Sequence, residues 1–388
     1  MKNSNKQNLS YLGLDAILLG MSFMGFLPVF GSSYYKIFVF CITFLILLKK
    51  YKIIRKNKGF VFFIIFLIFE VLNIMVNNLN NGEKSLNIVS IMCLTTMLFA
   101  YECYLYNDYK ALRVFVFVCN IWNMISFVDV LYKVFIIHYD SYNTSLILCG
   151  YDNGLGAYML PLALLNLYFY MFKRKQKRYI FFAASCLIQL FLIHSATAIV
   201  GAVLLATIFL FEYGKKREVN CIKPIYVLAL DVATFVFVVI FRVYDNKYTR
   251  FIIEQLLHKE MNFSGRLQTW NSGILYFLQK PIWGHGRDGL YQMSFFHNVT
   301  SSHNIFLDIL DQVGIIGFIL FDIMLIMTAM KKSIKLSREC WIINIGAFIL
   351  IFVLQFESYC SYYGYSLVFM NISLAYYLPL MYQRSENK

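Results

Sequence analysis

The sequence predicts an all-α polytopic membrane protein of about twelve transmembrane helices, with one long helical extracytoplasmic loop. Three observations predict it. Hydrophobic residues make up 60% of the 388 and charged residues 14%, with mean hydropathy +0.61. Soluble domains are about 45–50% apolar and 25% charged, so a soluble reading leaves too little polar surface to cover the core. The apolar residues also fall into long runs from end to end, and the basic residues gather in the short stretches between them. This pattern excludes a disulfide scaffold, a disordered chain and a soluble enzyme carrying a membrane anchor.

A spanning helix needs about 20 apolar residues. Stretches of this kind occur at 12–29, 35–48, 59–77, 86–106, 112–137, 151–172, 179–194, 196–213, 224–242, 305–330, 340–357 and 364–382. The first lacks a small-residue cleavage site before the next run begins and is expected to stay as a span. The second is short. The run from 179 to 213 is too long for one span, and the polar residues His194, Ser195 and Thr197 divide it.

Sidedness follows from the cations. Of the 35 Lys and Arg, 25 lie in the N-terminal tail, at 49–58, 107–113, 173–178, 214–223 and 331–338, or in the C-terminal tail. With twelve spans all of these fall on one face, the cytoplasmic one, and both termini are cytoplasmic. Merging the two halves of 179–213 would put Lys173–Arg178 and Lys215–Arg217 on opposite faces. The net charge of +14 is therefore topogenic rather than a nucleic-acid footprint, and no nucleic-acid partner is expected. Of the nine Cys, most sit in apolar runs and read as small hydrophobes; Cys149 and Cys360 fall near the outer face, which establishes no disulfide.

The chain thus divides into nine N-terminal transmembrane helices (1–242), an extracytoplasmic loop (243–302) and three C-terminal transmembrane helices (303–388). Loops this long are usually functional or disordered. This one is rich in aromatic and aliphatic residues, which argues for order. Tyr248–Met261 reads as one amphipathic stretch. Ser264 is a cap-type residue for a second helix ending before Pro281, with Leu267, Trp270, Ile274, Phe277 and Leu278 at helical spacing. Gly284 and Gly286 punctuate a turn where the backbone needs positive φ or a close approach.

Ser302 and Asn304 are cap-type residues directly before the apolar run at 305, so a helix begins here with its N-terminus facing out. Such a terminus suits a phosphate. Arg266 and Arg287 lie in the same loop, Arg242 and Arg250 flank its start, and guanidinium groups fork onto phosphate oxygens. His303 is the titratable group of this cationic site. Trp270 and Trp283 read as interfacial anchors or as sugar platforms. His285 and His297 extend the site or face water. No spacing among His285, His297 and His303 supports a metal site.

Ser264-Gly265-Arg266 with Trp270, then Pro281-Ile282 with Gly284 and Gly286, then His303-Asn304 with Leu307, Gly314 and Gly317, resembles the signature of the O-antigen ligase/polymerase superfamily. That superfamily holds the Wzy-type polysaccharide polymerases and the lipopolysaccharide ligases. The match is ordered over about 55 residues, and Gly150–Ala157 resembles the family's Asn-containing segment before a span. The resemblance implies a GT-C-like architecture and glycosyl transfer at the outer face of the plasma membrane. The sugars are carried on undecaprenyl pyrophosphate, and no cofactor or metal is implied. It also implies arginines on the pyrophosphate, with His303 as base for the acceptor hydroxyl. Membrane lipid, a flippase and a chain-length regulator are the implied partners. The family often has Ser-Arg where this chain has Ser195-Ala196-Thr197, so Arg242 or Arg250 would have to replace the missing cation beside Ser195 and Thr197.

Two readings from different classes remain. One is a polymerase of lipid-linked repeat units, with a ligase of finished polysaccharide as its near alternative. The other is a lipid-linked oligosaccharide flippase. A flippase needs a polar cavity spread over its helices, whereas the candidate chemistry here is concentrated in one outer loop.

Overall fold

A computed structural model of the chain describes residues 2–23, 31–54, 61–81, 88–138, 146, 152–172, 176–214, 223–241, 251, 255, 266–286, 302–330, 338–357 and 365–386. Among the described residues there are helices and no strand. In chain order they are α1 (Lys2–Ser22), α2 (Gly31–Ile54), α3 (Val61–Asn81), α4 (Ile88–Tyr106) and α5 (Tyr109–Tyr132, continued by a π turn Lys133–Ile137). Next come α6 (Asp152–Phe172), α7 (Lys177–Leu192), α8 (Ala196–Gly214) and α9 (Pro224–Thr234, continued by a π turn Phe235–Ile240). The last four are α10 (Arg266–Phe277), α11 (Ile305–Met330), α12 (Arg338–Leu354) and α13 (Tyr365–Glu386).

The described part of each of the twelve apolar stretches falls mainly on one helix, and α10 is the helix expected inside the long loop. Among the described residues, four helical segments are long and apolar enough to cross a membrane: Val89–Tyr106, Tyr109–Ile137, Gly154–Phe172 and Ile305–Met330. Boundaries differ from expectation in two places. α2 is longer than the apolar run at 35–48, because polar residues extend it at both ends; α1 ends at Ser22, and 24–29 of the first run lie outside the described residues.

The break within 179–213 lies where the polar residues put it. α7 stops at Leu192, His194 takes a left-handed conformation (φ 55) and α8 starts at Ala196. Polar side chains knit the helices from inside. Asn123 bonds Ser185, and Gln189 bonds Asn123 and Ser126, which joins α5 to α7. Asn120 and Asn166 exchange amide bonds of 2.8 Å between α5 and α6. In lipid, where apolar contact alone does not drive helices together, such bonds and small residues do. Gly346 lies against Leu164 of α6, and Gly201 against Val353 of α12 and Leu160 of α6. α6, α12 and α13 form the buried centre, while Phe117, Val128, Leu210 and Phe237 on outer helices present large apolar side chains outward. That distribution suits a lipid surround.

Candidate functional site

The site begins with the capping chemistry of α11. Asn304 is its N-cap: the side-chain oxygen accepts from the Leu307 N–H at 3.0 Å. The Asn304 amide also donates to the Gln355 carbonyl at 2.8 Å, tying the start of α11 to the end of α12. Asp308, in the first turn, reaches back and accepts from the Ser302 backbone N–H and hydroxyl, both at 2.6 Å. Asn304 thus caps one N–H of the helix terminus expected to seat a phosphate, and Asp308 ties Ser302 to its first turn. Asn304 is wholly buried, and both ends of its amide are spent on the scaffold.

Between Ser302 and Asn304, His303 takes a left-handed conformation, φ 55, rare for a residue with a β-carbon. Its Nδ1 lies 2.8 Å from Glu357 Oε1, and Arg266 Nη2 donates to Glu357 Oε2 at 2.5 Å. Three elements supply these groups: the first residue of α10, the turn before α11 and the turn after α12. The Asn304–Gln355 bond runs alongside the His303–Glu357 contact and fixes the two turns against each other. Gln355 also donates to the Asp231 carbonyl at 2.8 Å, which anchors this corner on α9.

Exposure divides the labour. The Glu357 side chain is 3% exposed, Arg266 18% and His303 36%, so substrate can meet the histidine and arginine but not the carboxylate. With the Nδ1 proton directed at the carboxylate, the lone pair of the neutral ring lies on Nε2. A base of that form, beside a guanidinium able to take phosphoryl oxygens, can remove a hydroxyl proton while an anion departs next to it.

The Gly-punctuated turn proves to be a clamp on α11. Gly314 interrupts that helix with φ 63 and ψ −169, freeing backbone groups from the i→i−4 ladder. The turn takes them up: His285 N–H donates to the Asp311 carbonyl (2.8 Å), Gly286 N–H to that of Gln312 (2.9 Å), and Ile315 N–H to that of Pro281 (2.9 Å). Non-helical backbone at membrane depth is tolerated where protein satisfies it in this way. Gly284 and Gly286 have φ 74 and 76, as expected. A β-carbon on Gly284 would lie 2.5 Å from the Gln312 carbonyl, and one on Gly286 2.8 Å from Asn77, so the structure uses both glycines for close approach. Asn73 of α3 donates to the Trp283 carbonyl, and Phe69 stacks on the Trp283 ring.

Trp270 is fully buried on the face of α10 that meets α11, where Gly273 permits contact with Leu307. Its ring is wholly buried and offers no open sugar platform. His285 is also buried: Nε2 donates to the Tyr276 carbonyl at 2.8 Å and its ring stacks on Tyr276. Burial pushes its pKa below the ordinary value, and Lys280 adds to that; the Tyr276 carbonyl opposes them. Tyr276 is pushed up to about 12, first by burial and then by Asp311. Ser195, buried, and Thr197, half-buried, sit at the α7–α8 break, on elements other than those carrying His303, Arg266 and Glu357. Arg242, Arg250 and Arg287 lie outside the described residues, as do Ser264, His297, Cys149, Cys360 and most of Tyr248–Met261. The sequence reading missed Glu357; its one signal was a carboxylate closing an apolar run.

Apolar helices of the kind found in membrane proteins surround a buried carboxylate that holds a histidine and an arginine side by side. The family model described as O-antigen ligase, Wzy_C, matches residues 180–321. This segment is similar to the O-antigen ligase family, in agreement with the motifs within it. It contains Arg266 and His303, and Glu357 lies beyond it. No curated protein matches the chain. The match supports an O-antigen ligase/polymerase-type function in broad terms, and that family implies lipid-linked oligosaccharide and membrane lipid as partners.

Proposed function

We propose that the protein is a polymerase of undecaprenyl-pyrophosphate-linked oligosaccharide repeat units. It would work at the outer face of a bacterial plasma membrane, in capsule, exopolysaccharide or O-antigen synthesis. The observation that carries this reading is the His303–Glu357–Arg266 group, two members of which fall in the matched family segment. The non-reducing-end hydroxyl of one repeat unit attacks the anomeric carbon of the growing chain. The new C–O bond forms as the bond to undecaprenyl pyrophosphate breaks, and that electron pair leaves with the anion. His303 takes the hydroxyl proton on Nε2, and Arg266 steadies the departing pyrophosphate. Arg242, Arg250 and Arg287 are the candidates for a second cation. Twelve spans, both termini cytoplasmic and a GT-C-like arrangement complete the reading.

The test uses purified protein in detergent with lipid-linked repeat units. A polymerase builds a ladder of products there, a flippase leaves the units unchanged, and a ligase consumes finished polymer only when a separate acceptor is supplied. Sidedness is tested by maleimide labelling in intact cells. Lys280→Cys, at an exposed position unlike the buried His285, is expected to label, and Lys177→Cys only after permeabilisation.

A further inference from the structure

We infer that Glu357 is the positioning residue of this site: it orients His303 as a base and holds Arg266 until the donor's anion arrives. The inference rests on the polymerase reading above. The carboxylate has no local reason to be where it is. Its partners are 54 and 91 residues away, on two other elements, and each takes a different oxygen. At 3% exposed it touches no substrate itself, so whatever it does passes through the two side chains it binds. His303 is held in left-handed backbone, a strain that folded proteins keep where a side chain's direction matters. The Asn304–Gln355 bond holds the two turns in register, so the carboxylate meets Nδ1 rather than the ring edge.

The chemistry follows from that geometry. Glu357 accepts the Nδ1–H, fixes the tautomer with its lone pair on Nε2, and faces the imidazolium that forms when Nε2 takes the acceptor's proton. No proton moves to Glu357. Its second oxygen occupies Arg266 Nη2, while Nε and Nη1 have no partner among the described residues. When a pyrophosphate approaches, the guanidinium is shared between two anions. The carboxylate is then less neutralised by Arg266 and supports the imidazolium more. The carboxylate also competes with that leaving group for the same cation.

This competition gives a test that a mere structural ion pair fails. Glu357→Gln keeps the shape and removes the charge. Its turnover per folded molecule, at saturating donor, is expected to fall at least about tenfold, part of the loss that removing a general base brings. Its affinity for undecaprenyl pyrophosphate, measured with that lipid alone, is expected to rise because Arg266 is released. Unchanged turnover per folded molecule overturns the inference. So does a joint loss of turnover and binding, which would make Glu357 only a prop for Arg266. If Glu357→Gln yields no folded protein, Glu357→Asp carries the test. It keeps the charge but is one methylene shorter and reaches one partner only, so turnover drops at least about tenfold with folding retained; wild-type turnover overturns the inference. His303→Ala, run in parallel, separates the two levels. Activity in that variant sinks the polymerase chemistry itself, whereas an inactive His303→Ala beside an active Glu357→Gln sinks only the role of Glu357.

Discussion

Replacing Gly314 by alanine tests whether the turn at Pro281–Gly286 and the break in α11 are one device. The backbone at Gly314, φ 63 and ψ −169, lies in a region that only glycine adopts without strain. A β-carbon there would sit 2.2 Å from the Ile282 carbonyl oxygen and 2.4 Å from its carbon, and backbone atoms cannot step aside as a side-chain tip can. The turn must detach, or α11 must straighten. Either way three backbone hydrogen bonds are lost: His285 to Asp311, Gly286 to Gln312 and Ile315 to Pro281. Strain of about 1–3 kcal/mol and three bonds worth about 0.5–1.5 kcal/mol each put the loss at roughly 2.5–7.5 kcal/mol. The assay is SDS-induced unfolding in mixed micelles followed by circular dichroism. Gly13→Ala is the control: nothing lies within 4 Å of its β-carbon, and alanine in a helix is favoured over glycine by about 0.5–1 kcal/mol. A Gly314→Ala protein within about 1 kcal/mol of wild type would refute the clamp, since that is less than the strain and lost bonds together require.

Arg266→Lys is expected to be harmful although it keeps the charge. A compact ammonium cannot hold Glu357 and fork onto a phosphoryl group at once, and near-normal polymer yield at normal protein level would reduce Arg266 to an anchor. A second expectation concerns pH. Burial lowers the folded pKa of His285, so the unfolded chain takes up the proton first as pH falls. The stability is fully present above the ordinary value of 6.5 and is lost as pH drops through the folded value. Melting temperatures between about pH 7.5 and about pH 5.5 are expected to fall further for wild type than for His285→Gln, and equal slopes would show that His285 does not carry the effect.

The helices were legible because each is a run of apolar residues closed by a polar or basic stretch. The break at His194–Ser195 was legible because a polar cluster inside a long apolar run costs more in lipid than at a turn. The face of α10 was legible, but not what it meets. Helical spacing aligned Leu267, Trp270 and Ile274, while burial of Trp270 depends on Gly273 letting α10 approach Leu307 of α11. Cap-type residues marked the start of α11. The same residues cap that terminus, and Asp308 in its first turn ties Ser302 back onto it. Glu357 left no periodic trace, because its partners come from elements brought together only by tertiary packing.

The central claim is that His303 removes the acceptor's proton, and His303→Ala in a purified polymerisation assay tests it most directly. The variant should insert and fold, since the Asn304 cap and the Ser302–Asp308 bonds do not use the ring. General-base removal costs about 10²–10⁴-fold in rate, so chain growth is expected to fall by at least about a hundredfold. A rate above about a tenth of wild type would contradict the account and return His303 to the role of a turn residue before α11.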